Sequence, residues 1–500
     1  MRFSSTMLFI EALTICLFLT PLMRWVGTRL GIVDQPDAYR KFHAGVIPRC
    51  GGLAIYISFL VPIFIFLFFI KKESLLAASN HYQVWVIVIG GGIAMLMGLA
   101  DDIWNIRVRW KILFQIIAAT VAFSGNLRID NLSNPFGSAI ELGFFSYPAT
   151  LLWFFVCMNA INIFDGLDGL AAGISLFVTF TLLGVSLTFG NDTGVFISAC
   201  LSGAILGFLV YNFSPASIFM GDSGSMFIGF GIAALSLVSS YKAETATALL
   251  IPIIALFLPF FDLISAALRR WSKFLPLTMP DGKHLHHVMM SKGLSARRTV
   301  LYLYIVCIIL CGAALVIMFS RSSAAAAIVF IIGSVFLIGN HFLKVVDIQE
   351  LRKRITHDRL RHQWNKKHVA KLIKVTDQVK TSKNLKDAWG YCAVAFKNLE
   401  LSSASLNVFE NGEWHILQEW KCDSSHMCGK QKSCGVSIPW TWTLEYPIQL
   451  KNETRLIILK LKGMNDSSEI RSIMPLLNDL AVEISKKMIS SSIRDPELND

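Results

Sequence analysis

Gly52-Leu-Ala-Ile-Tyr-Ile-Ser-Phe-Leu-Val-Pro-Ile-Phe-Ile-Phe-Leu-Phe-Phe-Ile70 carries no charged residue. Read as a helix, a run of this length crosses the hydrocarbon of a bilayer. Lipid offers no hydrogen-bond partner, so a lipid-facing backbone must pair its own N–H and C=O groups, and a helix does this within one segment. The pattern recurs along the chain. Eleven spans are predicted, near 5–24, 52–70, 84–100, 111–125, 147–163, 171–190, 193–212, 226–241, 246–268, 299–320 and 323–343. The first is read as a retained span, because it lacks a strongly basic leader and a small-residue cleavage site. The fold class is an all-α polytopic membrane protein followed by a cytosolic α+β domain.

Composition agrees. Of 500 residues, 54% are hydrophobic and only 16% charged, against about 25% charged in soluble domains. Orientation follows from Lys and Arg. Loops after odd-numbered spans hold Arg24, Arg29, Arg40, Lys41, Arg49, Arg107, Arg109, Lys111, Arg269, Arg270 and others, while the opposite loops are sparse. The positive-inside rule makes the richer side cytoplasmic and the N-terminus external. The net charge is +12, and more than half of the Lys and Arg lie in the tail beyond residue 343. Basic segments beside a membrane are drawn to anionic lipid. No nucleic-acid motif accompanies them, so nucleic acid is excluded as a partner.

Three acidic, glycine-laced stretches follow apolar segments on the cytoplasmic side: Gly98-Leu-Ala-Asp-Asp102, Asn159-Ala-Ile-Asn-Ile-Phe-Asp-Gly-Leu-Asp-Gly169 and Phe219-Met-Gly-Asp-Ser-Gly-Ser225. Ionisable residues at membrane depth are costly and mark sites. Grouped carboxylates attract hard divalent cations such as Mg²⁺. Arg107, Lys111 and Gln115 recur every four residues and are predicted to share one helical face. A carboxylate pair beside such a stripe suits a phosphate. The plainer reading of Asp101 and Asp102 is a pair capping a helix start. Asp165-Gly-Leu-Asp-Gly169 could be a surface turn, or a calcium loop, although the terminal Glu of an EF-hand is missing. Asp222 or Ser223 could cap the eighth span. His284, His286 and His287 have the spacing of zinc ligands. The loop with Arg40, Lys41, His43, Gly51 and Gly52 completes five motifs on one face.

These five motifs, in this order over about residues 20–300, resemble the polyprenyl-phosphate N-acetylhexosamine-1-phosphate transferases. The spelling His284-Leu-His-His287 resembles the branch that forms lipid-linked GlcNAc and initiates teichoic acid. The resemblance implies transfer of a HexNAc-1-phosphate, GlcNAc first, from a UDP-sugar to undecaprenyl phosphate, with Mg²⁺ (or Mn²⁺) and release of UMP. GalNAc, QuiNAc and FucNAc donors are alternatives. It implies a bacterial inner membrane location and a place at the start of a cell-surface polysaccharide. It assigns Asp101, Asp102 and Asp165 to catalysis, the aspartate pair either to deprotonation or to metal. It assigns Asp222 and Asp165 to the metal, and Asn162, Leu167, Asp168, Asn212 and Phe219 to the nucleotide. Arg40, Lys41, His43, Arg107, Lys111, His284, His286, His287 and Arg297 fall to the phosphates and sugar. The rival classes are a transporter and a receptor working through its tail.

The tail is read in two parts. From 344 to 383, Ile348, Leu351 and Ile355 mark an amphipathic helix that extends the last span, lies on the membrane or pairs with a second copy as a homodimer. In 384–500, strands at 402–408, 413–420, 443–450 and 456–461 precede a helix at 470–489. The order resembles a GAF-type sensory domain, and a regulatory or docking role is expected. Cys422, Cys428, Cys434 and His426 lack the tight spacing of a zinc site.

Overall fold

The computed structural model describes residues 2–34, 46–69, 78–132, 140–240, 250–273, 275–276 and 283–319. In the C-terminal part it describes 371–398, 401–410, 413–421, 442–449 and 456–463, with short helical pieces between 328 and 356 and between 477 and 484. The chain divides into two compact units, Met1–Ile348 and Gln349–Asp500.

The first unit is a multi-pass membrane protein built of helices: α1 (Arg2–Leu30), α2 (Gly51–Phe69), α3 (Ala78–Trp104), α4 (Val108–Ser124), α5 (Ser146–Phe164), α6 (Leu170–Thr188), α7 (Asp192–Asn212), α8 (Gly221–Ser240), α9 (Leu250–Ala255), α10 (Phe257–Ser272), α11 (Leu285–Ser291) and α12 (Ala296–Phe319). Among the described residues, eight are long and apolar enough to cross a membrane: α1, α2, α3, α5, α6, α7, α8 and α12. The other three predicted spans differ for separate reasons. The fourth, α4, has 17 residues. The ninth is broken at Leu256 into α9 and α10. Pro259, without an N–H, cannot donate to Ala255 across the break. The eleventh falls mostly outside the described residues.

The core lies on α8, the most buried of the eight spans. It packs against α2, α3, α5, α6 and α7, while α1 lies along α7. Its sequence explains this. Small residues alternate with Phe227 and Phe230, both fully buried, so neighbouring backbones come close while two rings fill the gaps. Phe227 meets Tyr56 of α2 edge-on, ring centroids 5.0 Å apart, and Phe230 meets Phe154 of α5 at 5.0 Å. Short loops make neighbours antiparallel. The C-terminal ends of α3, α5 and α7 therefore lie at the same end as the N-terminal ends of α4, α6 and α8.

The second unit contains a helix over 371–381 (α13), α14 (Leu385–Asn398) and four strands, β5 (Leu401–Glu410), β6 (Glu413–Lys421), β7 (Trp442–Gln449) and β8 (Leu456–Gly463). Two short pairs in the first unit precede them, β1–β2 (Val33–Asp34, Ile47–Pro48) and β3–β4 (Asn131–Leu132, Ile140–Glu141). The tail sheet is antiparallel throughout, in the order β6-β5-β8-β7. Leu406 pairs with Leu459, and Leu444 with Leu461. Ala388, Trp389, Cys392, Ala395 and Phe396 form the buried stripe of α14. Phe396 reaches Trp420 of β6 with centroids 5.9 Å apart. The described tail is thus α+β, with strands where alternation placed them. Cys422, Cys428, Cys434 and His426 lie outside the described residues.

Candidate active site

The first turn of α8 organises one end of the helix bundle. Phe219 N donates to Pro48 O at 2.8 Å, Gly51 N to Phe219 O at 3.0 Å, and Gly52 N to Met220 O at 2.9 Å. The end of the first loop and the entry to α8 are thereby zipped together. A Cβ on Gly52 would lie 2.1 Å from Gly224 N, and one on Gly98 would lie 2.3 Å from Asp222 O. Two neighbouring helices touch this turn backbone to backbone, which any side chain would prevent.

A helix start leaves N–H groups without partners. Here Asp102 of α3 supplies them: Oδ1 accepts from Asp222 N at 2.9 Å and Oδ2 from Ser223 N at 3.0 Å. The capping reading of the aspartate pair holds for Asp102, but the helix it caps lies 120 residues onward. Asp101 faces elsewhere. Its Oδ1 accepts from Ile106 N at 2.7 Å, and Oδ2 pairs with Lys111. Lys111 also reaches Asp222 Oδ2 at 3.1 Å. One turn further along α4, buried Gln115 directs Nε2 at Met226 Sδ (3.3 Å) and accepts from Asn159 Nδ2 (3.2 Å). Asn162 donates to Ser225 Oγ at 2.9 Å. The acidic motifs on α3, α5 and α8 are one cluster, joined by α4. Arg107 is the exception to the predicted stripe: it is the extended N-cap of α4, exposed, and outside the helical period.

Asp165 ends α5 at the edge of this cluster. Burial, and then the negative charges of Asp222 and Asp102, push its carboxyl up to about 7, with Arg49 partly offsetting them. Arg49 pairs with buried Asp34 at 2.6 Å. Asp168 and Asn212 tie two turns together. Asp168 Oδ2 accepts from Ala216 N at 3.0 Å. Asn212 accepts from Gly169 N at 3.1 Å and donates to Ile218 O at 3.0 Å. Leu167 and Phe219 lie half-buried along the same two turns. Their polar residues therefore shape the turn backbone as well as any ligand surface.

The histidines come from the α10–α11 region. His284 is the N-cap of α11, and its ring bonds Asp262 of α10 at 2.9 Å. His286 is buried against Gly166, where a Cβ would lie 2.5 Å from its Nε2. Neither of its nitrogens has a hydrogen-bond partner. Burial, and then the neighbouring His287, push its pKa down to about 3, so the ring is neutral at physiological pH. His286 and His287 lie with ring centroids 4.3 Å apart. His284 and His286 stack almost parallel, which is not the convergence of a zinc site. Arg297, exposed, sits 5.8 Å over the Phe213 ring. Arg40, Lys41 and His43 lie outside the described residues.

Among the described residues, no three His, Cys, Asp or Glu side chains are already gathered as metal ligands. The donor set nonetheless fits a hard cation. It is all oxygen, with the carboxylates of Asp101, Asp165 and Asp222 at one end of the bundle. Asp262 was not legible as a site residue, although a single charge in Phe260-Phe-Asp-Leu263 is itself a signal at membrane depth.

The sequence profile of "Glycosyl transferase family 4" matches residues 84–240, the stretch that carries all three acidic motifs. A Bacillus subtilis protein named "Probable undecaprenyl-phosphate N-acetylglucosaminyl 1-phosphate transferase" is 38% identical over 328 residues, 65% of this chain and 88% of that protein. A Mycobacterium tuberculosis "Decaprenyl-phosphate N-acetylglucosaminephosphotransferase" is 34% identical over 345 residues, covering 63% and 83%. The Escherichia coli K12 "Undecaprenyl-phosphate alpha-N-acetylglucosaminyl 1-phosphate transferase" is 31% identical over 301 residues, covering 58% and 78%.

Proposed function

This chain belongs to glycosyl transferase family 4, the polyprenyl-phosphate N-acetylhexosamine-1-phosphate transferases, and is a phosphotransferase; on that premise we propose that it moves GlcNAc-1-phosphate from UDP-GlcNAc to undecaprenyl phosphate. A lipid phosphate oxygen attacks the sugar-bearing phosphorus. The new P–O bond forms as the bond to the second phosphate breaks, and UMP leaves. The product starts a cell-surface polysaccharide.

The observation that carries this reading is Lys111 held between Asp101 and Asp222, with Asp165 alongside at about 7. Lys111 places positive charge where phosphates gather. Asp101 is the candidate base for the lipid phosphate, because its Oδ2 sits on Lys111 beside Asp222, whereas both oxygens of Asp102 accept from the backbone of α8. Asp102 is read as a positioning residue. Asp222 and Asp165 would hold Mg²⁺ (or Mn²⁺), which supplies charge neutralisation on the diphosphate. Asn162, Leu167, Asp168, Asn212 and Phe219 shape the uridine side, and His284, His286, His287 and Arg297 the diphosphate and sugar. Arg40, Lys41 and His43 belong to the same assignment. The positive-inside distribution puts this end in the cytoplasm of a bacterial inner membrane, with the N-terminus outside. The tail regulates or docks.

The test is purified protein with undecaprenyl phosphate, Mg²⁺ and a panel of UDP-HexNAc donors. UDP-GlcNAc is expected to give UMP and a lipid-linked diphospho-sugar. No UMP from any donor in folded protein overturns the proposal, and a preference for another HexNAc replaces the donor.

A further inference from the structure

Asp262 is the one acidic residue of α10 and is fully buried. Both of its oxygens are used. Oδ1 accepts from Leu285 N at 2.9 Å, and Oδ2 lies 2.9 Å from His284 Nδ1. Leu285 is the first residue of α11, and the N-cap residue His284 provides no side-chain cap of its own. Asp262 therefore caps α11 from another helix and holds the ring at its head. With the carboxylate as acceptor at this contact, Nδ1 of His284 is the donor. Nε2 is the nitrogen left for a ligand. The same contacts fix where α11 begins, and with it His286 on Gly166 and His287 against His286.

We propose that Asp262 is the positioning residue of the histidine loop: by binding Nδ1 of His284 and the N–H of Leu285, it presents His284 Nε2 as a hydrogen-bond acceptor to a hydroxyl of the donor's sugar. This rests on the phosphotransferase reading of the site. A burial role alone does not account for the geometry. An apolar residue would fill the space, whereas a buried carboxylate is costly unless both oxygens are partnered. Its partners here are the ring and the helix start of one motif. A carboxylate behind an imidazole sets its tautomer, here leaving Nε2 as the acceptor.

The experiment compares wild type, Asp262→Asn, His284→Ala and the double variant in UMP release. In Asp262→Asn the amide oxygen can still accept from Leu285, so α11 stays capped. The amide NH₂ donates to Nδ1 and moves the ring proton to Nε2. Expected are a kcat lower by about 10²-fold or more, a KM for the UDP-sugar within about threefold of wild type, and an unchanged melting temperature. The double variant is expected to match His284→Ala, because residues acting through one another are not additive. ¹⁵N-histidine NMR is expected to show His284 Nε2 turning from unprotonated to protonated in Asp262→Asn. A kcat within about twofold of wild type, fully additive losses, or an unchanged tautomer overturns the proposal. Where Asp262→Asn fails to insert, His284→Asn takes its place. Its amide NH₂ replaces Nδ1–H against Asp262, so it is expected to fold and lose turnover, and wild-type turnover overturns the proposal. If wild type releases no UMP, the phosphotransferase reading has failed, and the NMR signature alone decides the pairing.

Discussion

Asp222 shares Lys111 with Asp101 and also lies in the first turn of α8, so its charge and its backbone have separate duties. Asp222→Asn keeps an oxygen for Lys111 and the N–H that Asp102 accepts. It is expected to insert with a near-normal melting temperature and to lose at least about 100-fold in turnover, because an amide is a poorer ligand for a hard cation than a carboxylate. Retained UMP release at saturating Mg²⁺ would remove Asp222 from the site. His286 gives a second test through its lowered pKa of about 3. A depressed histidine favours the folded state while neutral. That stability is present above the unfolded value of 6.5 and is lost as pH falls from 6.5 toward 3. The melting-temperature difference between wild type and His286→Gln should therefore shift against wild type between about pH 6.5 and 4 and stay flat above about 7. At this scale the sequence was legible where charge sat inside apolar runs, as at Asp101, Asp165 and Asp222. It was not legible where a role depends on a distant partner. Asp102 reads as a local cap until Asp222 and Ser223 are placed beside it, and Asp262 has no neighbour in sequence to announce His284.

Helix α8 depends on two close approaches and one borrowed cap. An added methyl at position 52 would overlap backbone atoms of Gly224, and at position 98 those of Asp222. Neither neighbour is a flexible side chain. Gly52→Ala and Gly98→Ala are thus each expected to cost about 1–3 kcal/mol, the range for overpacking. The loss would be seen as a lowered melting temperature in detergent, accompanied by lost activity. A stable and active Gly52→Ala would mean that α2 and α8 separate easily. Asp102→Ala removes both acceptors from the start of α8 and is expected to cost about 2–4 kcal/mol. Asp102→Asn, which keeps one acceptor, should fall between it and wild type. Hydropathy located eight of the spans because length and apolarity are local properties. It joined α9 and α10 because a break at Leu256 beside Pro259 leaves hydrophobicity unchanged.

Across the whole chain, the candidate active site lies in the unit ending at Ile348 and the four-stranded sheet in the one that starts at Gln349. A protein truncated after Ile348 is expected to keep UMP release per folded molecule. Complete loss in a truncated protein that still inserts would place part of the site, or an obligatory dimer contact, in the tail. A cysteine within 283–287 is expected to resist an impermeant thiol reagent outside intact cells, and one between β3 and β4 to react. The reverse pattern would invert the topology. The strands of the tail were legible from alternation, whereas no motif there marks a ligand.

The borrowed cap also sets an order in time. Lys111, the counter-charge of Asp101, follows it by ten residues. The amides that Asp102 accepts lie 120 and 121 residues downstream. At about 5–20 residues per second, a ribosome needs roughly 6–24 s to make that stretch. A nascent chain thus neutralises one carboxylate almost at once and carries the other to the membrane surface until α8 emerges. The contacts of Asp101 within α3 and α4 are complete first, and those of Asp102 only when the eighth helix arrives.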